Sequence, residues 1–172
     1  AGRIKPIAEA GGKLGCKVAL YNHGGWFGEP ENQLAIIKRL EHDGAEVTGL
    51  DVKDGVDVTD SAAWESVGRF DLACLNAGVT TGTASIAELT DEEYRRVLAV
   101  NVDGVLFGVR RLVGVMGEGD AIVVTASLAG LTGVESDPIY ALTKHAVIGL
   151  VRSVAPQLEE SGIRINAVCP GF

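Results

Sequence analysis

Tyr140 and Lys144 stand four residues apart in the segment 140–144, YALTK, and this spacing could support proton transfer. Residues four apart on a helix share one face, so the lysine ammonium would lie beside the phenol. A phenol can act as an acid or base near neutral pH when a neighbouring cation lowers its pKa. Ser127 lies thirteen residues before Tyr140, and Asn101 lies earlier still. The pattern predicts proton exchange with a hydroxyl or carbonyl oxygen.

The composition excludes several other classes of function. The chain has 172 residues, 47% of them apolar and 22% charged, which is enough for one globular domain with its own core. A net charge of −8 argues against a nucleic-acid or anionic-membrane partner. No apolar run reaches transmembrane length and no signal peptide is visible, so we expect a cytoplasmic protein, recombinant if it is engineered. The three cysteines are too far apart for a metal knuckle, so we expect no metal site.

Strand-like and helix-like segments alternate along the chain, which is typical of a doubly wound parallel sheet. Extended segments are predicted at 17–21, 46–51, 71–75, 121–126 and 163–168. Helices are predicted at 3–14, 30–43, 61–67, 91–115 and 138–160. Residues 56–58 follow the second strand too closely for a parallel crossover and are predicted to be an extended stub. Right-handed crossovers then give the strand order 2-1-3-4-5 in a five-stranded, Rossmann-like or flavodoxin-like three-layer α/β sandwich.

Several short motifs occur in the order typical of one enzyme family. They are Asp51, Asp57-Val58, Leu75-Asn76-Ala77-Gly78, Asn101-Val102, Ser127 in TASLAG, the Tyr140 and Lys144 pair, and NAVCPG at 166–171. From about residue 44 to Phe172 the chain resembles the short-chain dehydrogenase/reductase family on these motifs. The resemblance implies hydride transfer to or from a nicotinamide cofactor, NAD.

The resemblance also implies a role for each matched residue. Tyr140 would exchange a proton with the substrate oxygen, and Lys144 would lower the pKa of Tyr140 and hold the nicotinamide ribose. Ser127 would hydrogen-bond the reacting carbonyl, and Asn101 would hold a proton-relay water. The implied cofactor contacts are Asp51, Asp57, Val58, Asn76, Ala77, Gly78, Pro170 and Gly171.

The loop that should cradle the cofactor pyrophosphate departs from this pattern. Gly24 and Gly28 supply two glycines of a G-x-x-x-G-x-G turn, but Pro30 stands at the third place. Trp26 and Phe27 add bulk to this loop. Glu29 and Glu31 place carboxylates in the first helical turn, where a pyrophosphate would be repelled. We therefore expect no tightly bound cofactor. If the ancestral site survives, NAD is the cofactor that we expect to bind.

Residues 9–40 resemble a strand–loop–helix unit of the sugar-phosphate isomerase/epimerase family of (β/α)₈ barrels, on the run YNHGGWFGEPENQ. Together the two resemblances predict one domain over 1–172, in which a barrel-derived unit at 1–42 is fused to a dehydrogenase-like portion at 43–172. The chain also ends at Phe172, before the segment that covers the substrate in the short-chain dehydrogenase/reductase family.

Three functions follow from these patterns. The favoured prediction is an engineered chimeric scaffold without turnover, and the enzyme reading is disfavoured. The alternatives are an NAD-dependent oxidoreductase of alcohols or carbonyl compounds and a sugar-phosphate-binding module that uses Asn22 and His23. Self-association is predicted through the helices 91–115 and 138–160, by resemblance to the dehydrogenases.

Overall fold

The computed structural model describes residues 18–21, 47–50, 52, 55–83 and 85–171. Within these ranges lie five parallel strands: β1 (Val18–Tyr21), β2 (Val47–Leu50), β3 (Leu72–Leu75), β4 (Ala121–Thr125) and β5 (Arg164–Val168). Their order in the sheet is β2-β1-β3-β4-β5, so the predicted topology is confirmed. The predicted stub at 56–58 lies outside any strand. The predicted helices 3–14 and 30–43 lie outside the described residues.

The strands β3, β4 and β5 end at the same edge of the sheet. Leu75 pairs with Val124, and Thr125 pairs with Val168, so the residues that follow the three strands meet at this edge. Ile122 and Val124 are fully buried in β4, as expected for a parallel strand covered on both faces. The carboxyl edge of a doubly wound sheet is where such folds bind their ligands.

The predicted helix 91–115 is present but is not uniform. It consists of α1 (Asp91–Leu98), a π-helical turn (Ala99–Asp103) and α2 (Gly104–Val113). Thr90 and Glu93 form a reciprocal capping box that fixes the start of α1. A π turn accommodates one more residue than an α turn, and such turns are frequent at functional sites. The sequence periodicity did not predict this turn.

The helix α3 (Pro138–Val154) begins at the predicted residue and continues into a 3₁₀ turn (Ala155–Leu158). Asp137 is its N-cap and Pro138 occupies the first turn, where a missing N–H costs nothing. Val147, Ile148 and Val151 face the core cluster around β4. Leu106 on α2 and Leu142 on α3 are exposed, and self-association through these helices stays a prediction.

Candidate active site

Buried polar side chains are concentrated around the start of α3. Among the described residues, six polar or charged side chains are buried, and five of them lie in this one region: Thr81, Asn101, Asp137, Thr143 and Lys144. Burying such groups is costly unless each is hydrogen-bonded, and within the described residues no buried side-chain nitrogen or oxygen lacks a partner. The fold therefore places beside Tyr140 a polar network in which every buried nitrogen and oxygen has at least one partner.

Lys144 is 1% exposed and lies beneath Tyr140 on α3. Its Nζ donates to the backbone oxygen of Thr125 at 2.8 Å and lies 5.4 Å from the centroid of the Tyr140 ring. Burial lowers the pKa of Lys144 from 10.5 to about 8, and the nearby Cys169 opposes this shift. The ammonium is therefore still mostly protonated at neutral pH. The predicted pairing of cation and phenol on one helix face is present.

The lowered pKa of Lys144 makes a prediction about stability. The folded chain holds this proton less tightly than the unfolded chain, so between about pH 8 and 10.5 the unfolded state binds more protons. The contribution of Lys144 to stability is therefore largest above pH 10.5 and is lost as the pH falls through about 8. From pH 7.5 to 10.5, the free energy of unfolding should rise by about 3 kcal/mol relative to a Lys144→Met variant.

Urea unfolding of both proteins across this pH range measures the effect. Groups common to both proteins, such as the Cys74 thiol whose pKa burial raises to about 11, cancel in the difference. Parallel pH curves for the two proteins would contradict the prediction.

Asn101 lies in the π-helical turn and is fully buried. Its amide forms two hydrogen bonds with the backbone of Val79, accepting from the N–H at 2.8 Å and donating to the oxygen at 2.8 Å. The same Nδ2 contacts Thr143 Oγ1 at 3.0 Å, and Thr143 Oγ1 donates to the backbone oxygen of Tyr140 at 2.7 Å. Asn101 thus connects the loop after β3 to the helix that carries Tyr140.

Ser127 lies two residues after the end of β4 and has an extended backbone. Its Oγ accepts the N–H of Ala129 at 3.1 Å, which caps the 3₁₀ turn Leu128–Gly130. The N–H of Leu128 in this turn donates to the backbone oxygen of Pro170 at 2.9 Å. Ser127 and the Pro170-Gly171 motif therefore lie together at the carboxyl edge of β4 and β5.

Most of the predicted cofactor contacts that the structure describes lie around β3. Val58, Asn76 and Ala77 line one small depression together with Val100 and Gly104. The indole Nε1 of Trp64 donates to the backbone oxygen of Val58 at 3.1 Å and so holds this wall. Asn76 accepts from Thr125 Oγ1 at 2.7 Å, which joins the ends of β3 and β4. Gly78 is buried, whereas Asp57 is exposed.

The predicted residues Gly24, Gly28 and Asp51, and the sugar-site residues Asn22 and His23, lie outside the described residues. The parts that the structure describes contain no cluster of three or more His, Cys, Asp or Glu side chains able to bind a metal ion. Nor does any helix in those parts have the length and apolar character that crossing a membrane requires.

Sequence reasoning missed three members of the buried network: Thr81, Asp137 and Thr143. Asp137 carries a recognisable signal, because an aspartate directly before a proline at a helix start is a typical N-cap. Thr81 and Thr143 carry none, because their importance depends on contacts with residues far away along the chain.

The geometry defines a doubly wound α/β protein with a lysine–tyrosine pair at the carboxyl edge of its sheet, and comparison with known proteins gives the family. The family model described as enoyl-(acyl carrier protein) reductase matches residues 5–172. The chain belongs to the short-chain dehydrogenase/reductase family, whose related members are oxidoreductases.

Three relatives illustrate the similarity. A 3β-hydroxysteroid dehydrogenase 2 of Eggerthella lenta is 37% identical over 149 residues, covering 82% of this chain and 57% of the relative. An uncharacterised oxidoreductase of Thermotoga maritima is 34% identical, covering 99% of this chain and 71% of the relative. A short-chain dehydrogenase/reductase of Burkholderia phymatum, solved in complex with NAD, is 31% identical with a TM-score of 0.72, covering 98% of this chain and 61% of that one. The chain thus spans little more than half the length of the first of these.

These matches correct the prediction of a chimeric scaffold without turnover, which is wrong. The family model begins at residue 5 and continues to 172, so it includes the segment 9–40 that resembles a barrel unit. The similarity to the Thermotoga maritima and Burkholderia phymatum proteins likewise extends over nearly the whole chain. The comparisons favour the oxidoreductase alternative over both the scaffold and the sugar-phosphate-binding module.

Proposed function

We propose that this chain carries the reaction centre of an NAD-dependent oxidoreductase that interconverts a secondary alcohol and a ketone. The observation that carries the proposal is the buried Lys144 ammonium, held on Thr125 O beneath the ring of Tyr140. This cation lies beside the phenol that would exchange a proton with the substrate oxygen in each turnover. The hydroxysteroid dehydrogenase relative acts, by its name, on a hydroxyl group of this kind.

The chain's own side chains supply the proton chemistry and the positioning. Tyr140 takes the hydroxyl proton during oxidation and returns it to the carbonyl oxygen during reduction. Ser127 Oγ accepts the N–H of Ala129. Its hydroxyl proton can then be donated to the substrate oxygen. Asn101 holds the loop after β3 against the helix that carries Tyr140 and, by resemblance, a relay water.

The described residues fit a nicotinamide cofactor. Within the described ranges, Lys144 donates to one acceptor, Thr125 O, so two of its three N–H groups can serve ribose hydroxyls. The depression beside Val58, Asn76 and Ala77 lies at the end of β3. The strand order reverses between β1 and β3, and doubly wound folds bind nucleotides at such a reversal. Gly78, Pro170 and Gly171 border the same edge, and Gly24, Gly28 and Asp51 complete the proposed contacts. When bound, NAD supplies the acceptor for hydride.

Titration of the chain with NADH, followed by cofactor fluorescence, tests this proposal. We expect saturable binding, and we expect the bound cofactor to reduce a cyclic ketone and NAD to oxidise a 3-hydroxysteroid. A Lys144→Met variant should bind NADH at least about tenfold more weakly, because the charge-assisted contacts to the ribose are gone. Absence of saturable NADH binding to the unchanged chain would contradict the proposal.

A further inference from the structure

The loop that follows β3 is fixed by side chains from three different elements. Its successive backbone groups are bound by Asn101 from the π-helical turn at Val79, Arg96 from α1 at Thr80, and Asp137 from the N-cap of α3 at Thr81. The first contact belongs to the site described above. The third contact is made by Asp137, which has no role in the proposed reaction.

The Asp137 carboxylate bridges this loop and the first turn of α3. Its Oδ1 accepts the backbone N–H of Tyr140 at 2.9 Å, and its Oδ2 accepts the backbone N–H of Thr81 at 2.9 Å. Thr81 Oγ1 lies 2.8 Å from Oδ1. Asp137 is 9% exposed and Thr81 5%, so these contacts are shielded from water. Hydrogen bonds to an ionised carboxylate are among the stronger ones in proteins.

Tyr140 is consequently held through both of its backbone polar groups. Its N–H is bound by Asp137, and its carbonyl oxygen accepts from Thr143, which contacts Asn101. Both connections lead to the same loop, at Thr81 and at Val79. A shift of this loop would therefore displace Tyr140, and misplacement of a reacting group by 1 Å can cost about a hundredfold in rate.

We propose that Asp137 is a positioning residue for Tyr140, because its carboxylate couples the loop 79–83 to the first turn of α3. The inference rests on the proposed function, since it concerns the proton-transfer step. A serine at position 137 separates this role from helix capping. Serine caps helices about as well as aspartate does, yet its side chain is too short to reach Thr81 as well.

The experiment compares the unchanged chain with an Asp137→Ser variant in ketone reduction. We expect kcat to fall by about tenfold to a hundredfold and KM for the ketone to change by less than about threefold. In amide hydrogen exchange, Thr81 should exchange at least about tenfold faster in the variant, whereas Tyr140 should stay protected by the serine cap. A Thr90→Ala variant is the matched control: it removes the cap of α1 and should leave kcat unchanged.

A second pair of variants keeps the inference testable if Asp137→Ser does not fold. Thr81→Val removes the hydroxyl, which contacts both Asp137 Oδ1 and the backbone of Thr83, and should lower kcat by about threefold or more. Thr81→Ser keeps the hydroxyl and should restore kcat. Two results would overturn this inference and leave the proposed function intact. One is an unaltered kcat in Asp137→Ser although the amide of Thr81 exchanges faster. The other is an equal kcat in the two Thr81 variants. An unchanged chain without turnover would overturn the proposed function and the inference together.

Discussion

Replacing Tyr140 by phenylalanine should lower kcat/KM by about 10²–10⁴-fold, the range typical of a lost general acid or base. The variant loses only the hydroxyl, for which the described part of the chain offers no hydrogen-bond partner. The ring, and its contact with Lys144 at 5.4 Å, should persist. We therefore expect the free energy of unfolding to change by less than about 0.5 kcal/mol.

Steady-state kinetics of ketone reduction and urea unfolding measure the two parts of this prediction. Tyr94→Phe is the matched control, because Tyr94 is 38% exposed on α1 and should tolerate the same change without loss of rate. NADH affinity should also be retained in Tyr140→Phe, since Lys144 is unchanged. Comparable turnover in the Tyr140 and Tyr94 variants would exclude Tyr140 as the proton-transfer residue.

Replacing Gly130 by alanine should have the largest effect on stability. Gly130 ends the 3₁₀ turn after Ser127, and a Cβ there would lie 2.6 Å from the backbone oxygen of Lys144 and 2.6 Å from Ile148 Cδ1. The isoleucine could rotate, but the Lys144 carbonyl is part of α3 and cannot move alone. Overpacking against a rigid neighbour costs about 1–3 kcal/mol and sometimes more, and we expect the upper end.

The same substitution should lower turnover as well, because it separates Lys144 from the strand end that carries Thr125. Gly133→Ala is the matched control three residues along the same loop, where a Cβ would meet no atom within 4 Å. Urea unfolding should separate the two variants by about 2 kcal/mol or more. Equal stabilities would contradict the prediction, because they would show that the 3₁₀ turn can move away from α3 without loss of stability.

The sequence was sufficient to predict the order of the strands and the elements that carry the site. A buried parallel strand such as AIVVT at 121–125 gives a strong local signal, and right-handed crossovers leave few alternatives for the topology. The positions of Ser127, Tyr140 and Lys144 follow from where β4 ends and α3 begins. The link from Asn101 through Thr143 to Tyr140 depends on packing between elements, which periodicity does not encode.

The error at the N-terminal segment has a physical origin. A strand–loop–helix unit is common to (β/α)₈ barrels and doubly wound sheets, so a stretch of about thirty residues does not by itself distinguish the two architectures. The loop departs from the glycine-rich dinucleotide pattern at Trp26, Phe27 and Pro30. That departure favoured the prediction of a barrel-derived unit. The match that begins at residue 5 removes that interpretation.

The π-helical turn changes how the two halves of this helix, α1 and α2, are rotated relative to each other. Val97 and Val105 are both buried, although eight positions of uninterrupted α-helix would rotate one from the other by about 80°. One additional residue absorbed in the turn reduces that offset to about 20°, so Val97 and Val105 lie on nearly the same face of the helix. Excising a single residue such as Val102 would leave a continuous helix with both buried faces aligned but without the wider turn from which Asn101 binds Val79. The extra residue in this turn, rather than the type of any one side chain, therefore aligns the two halves of the helix.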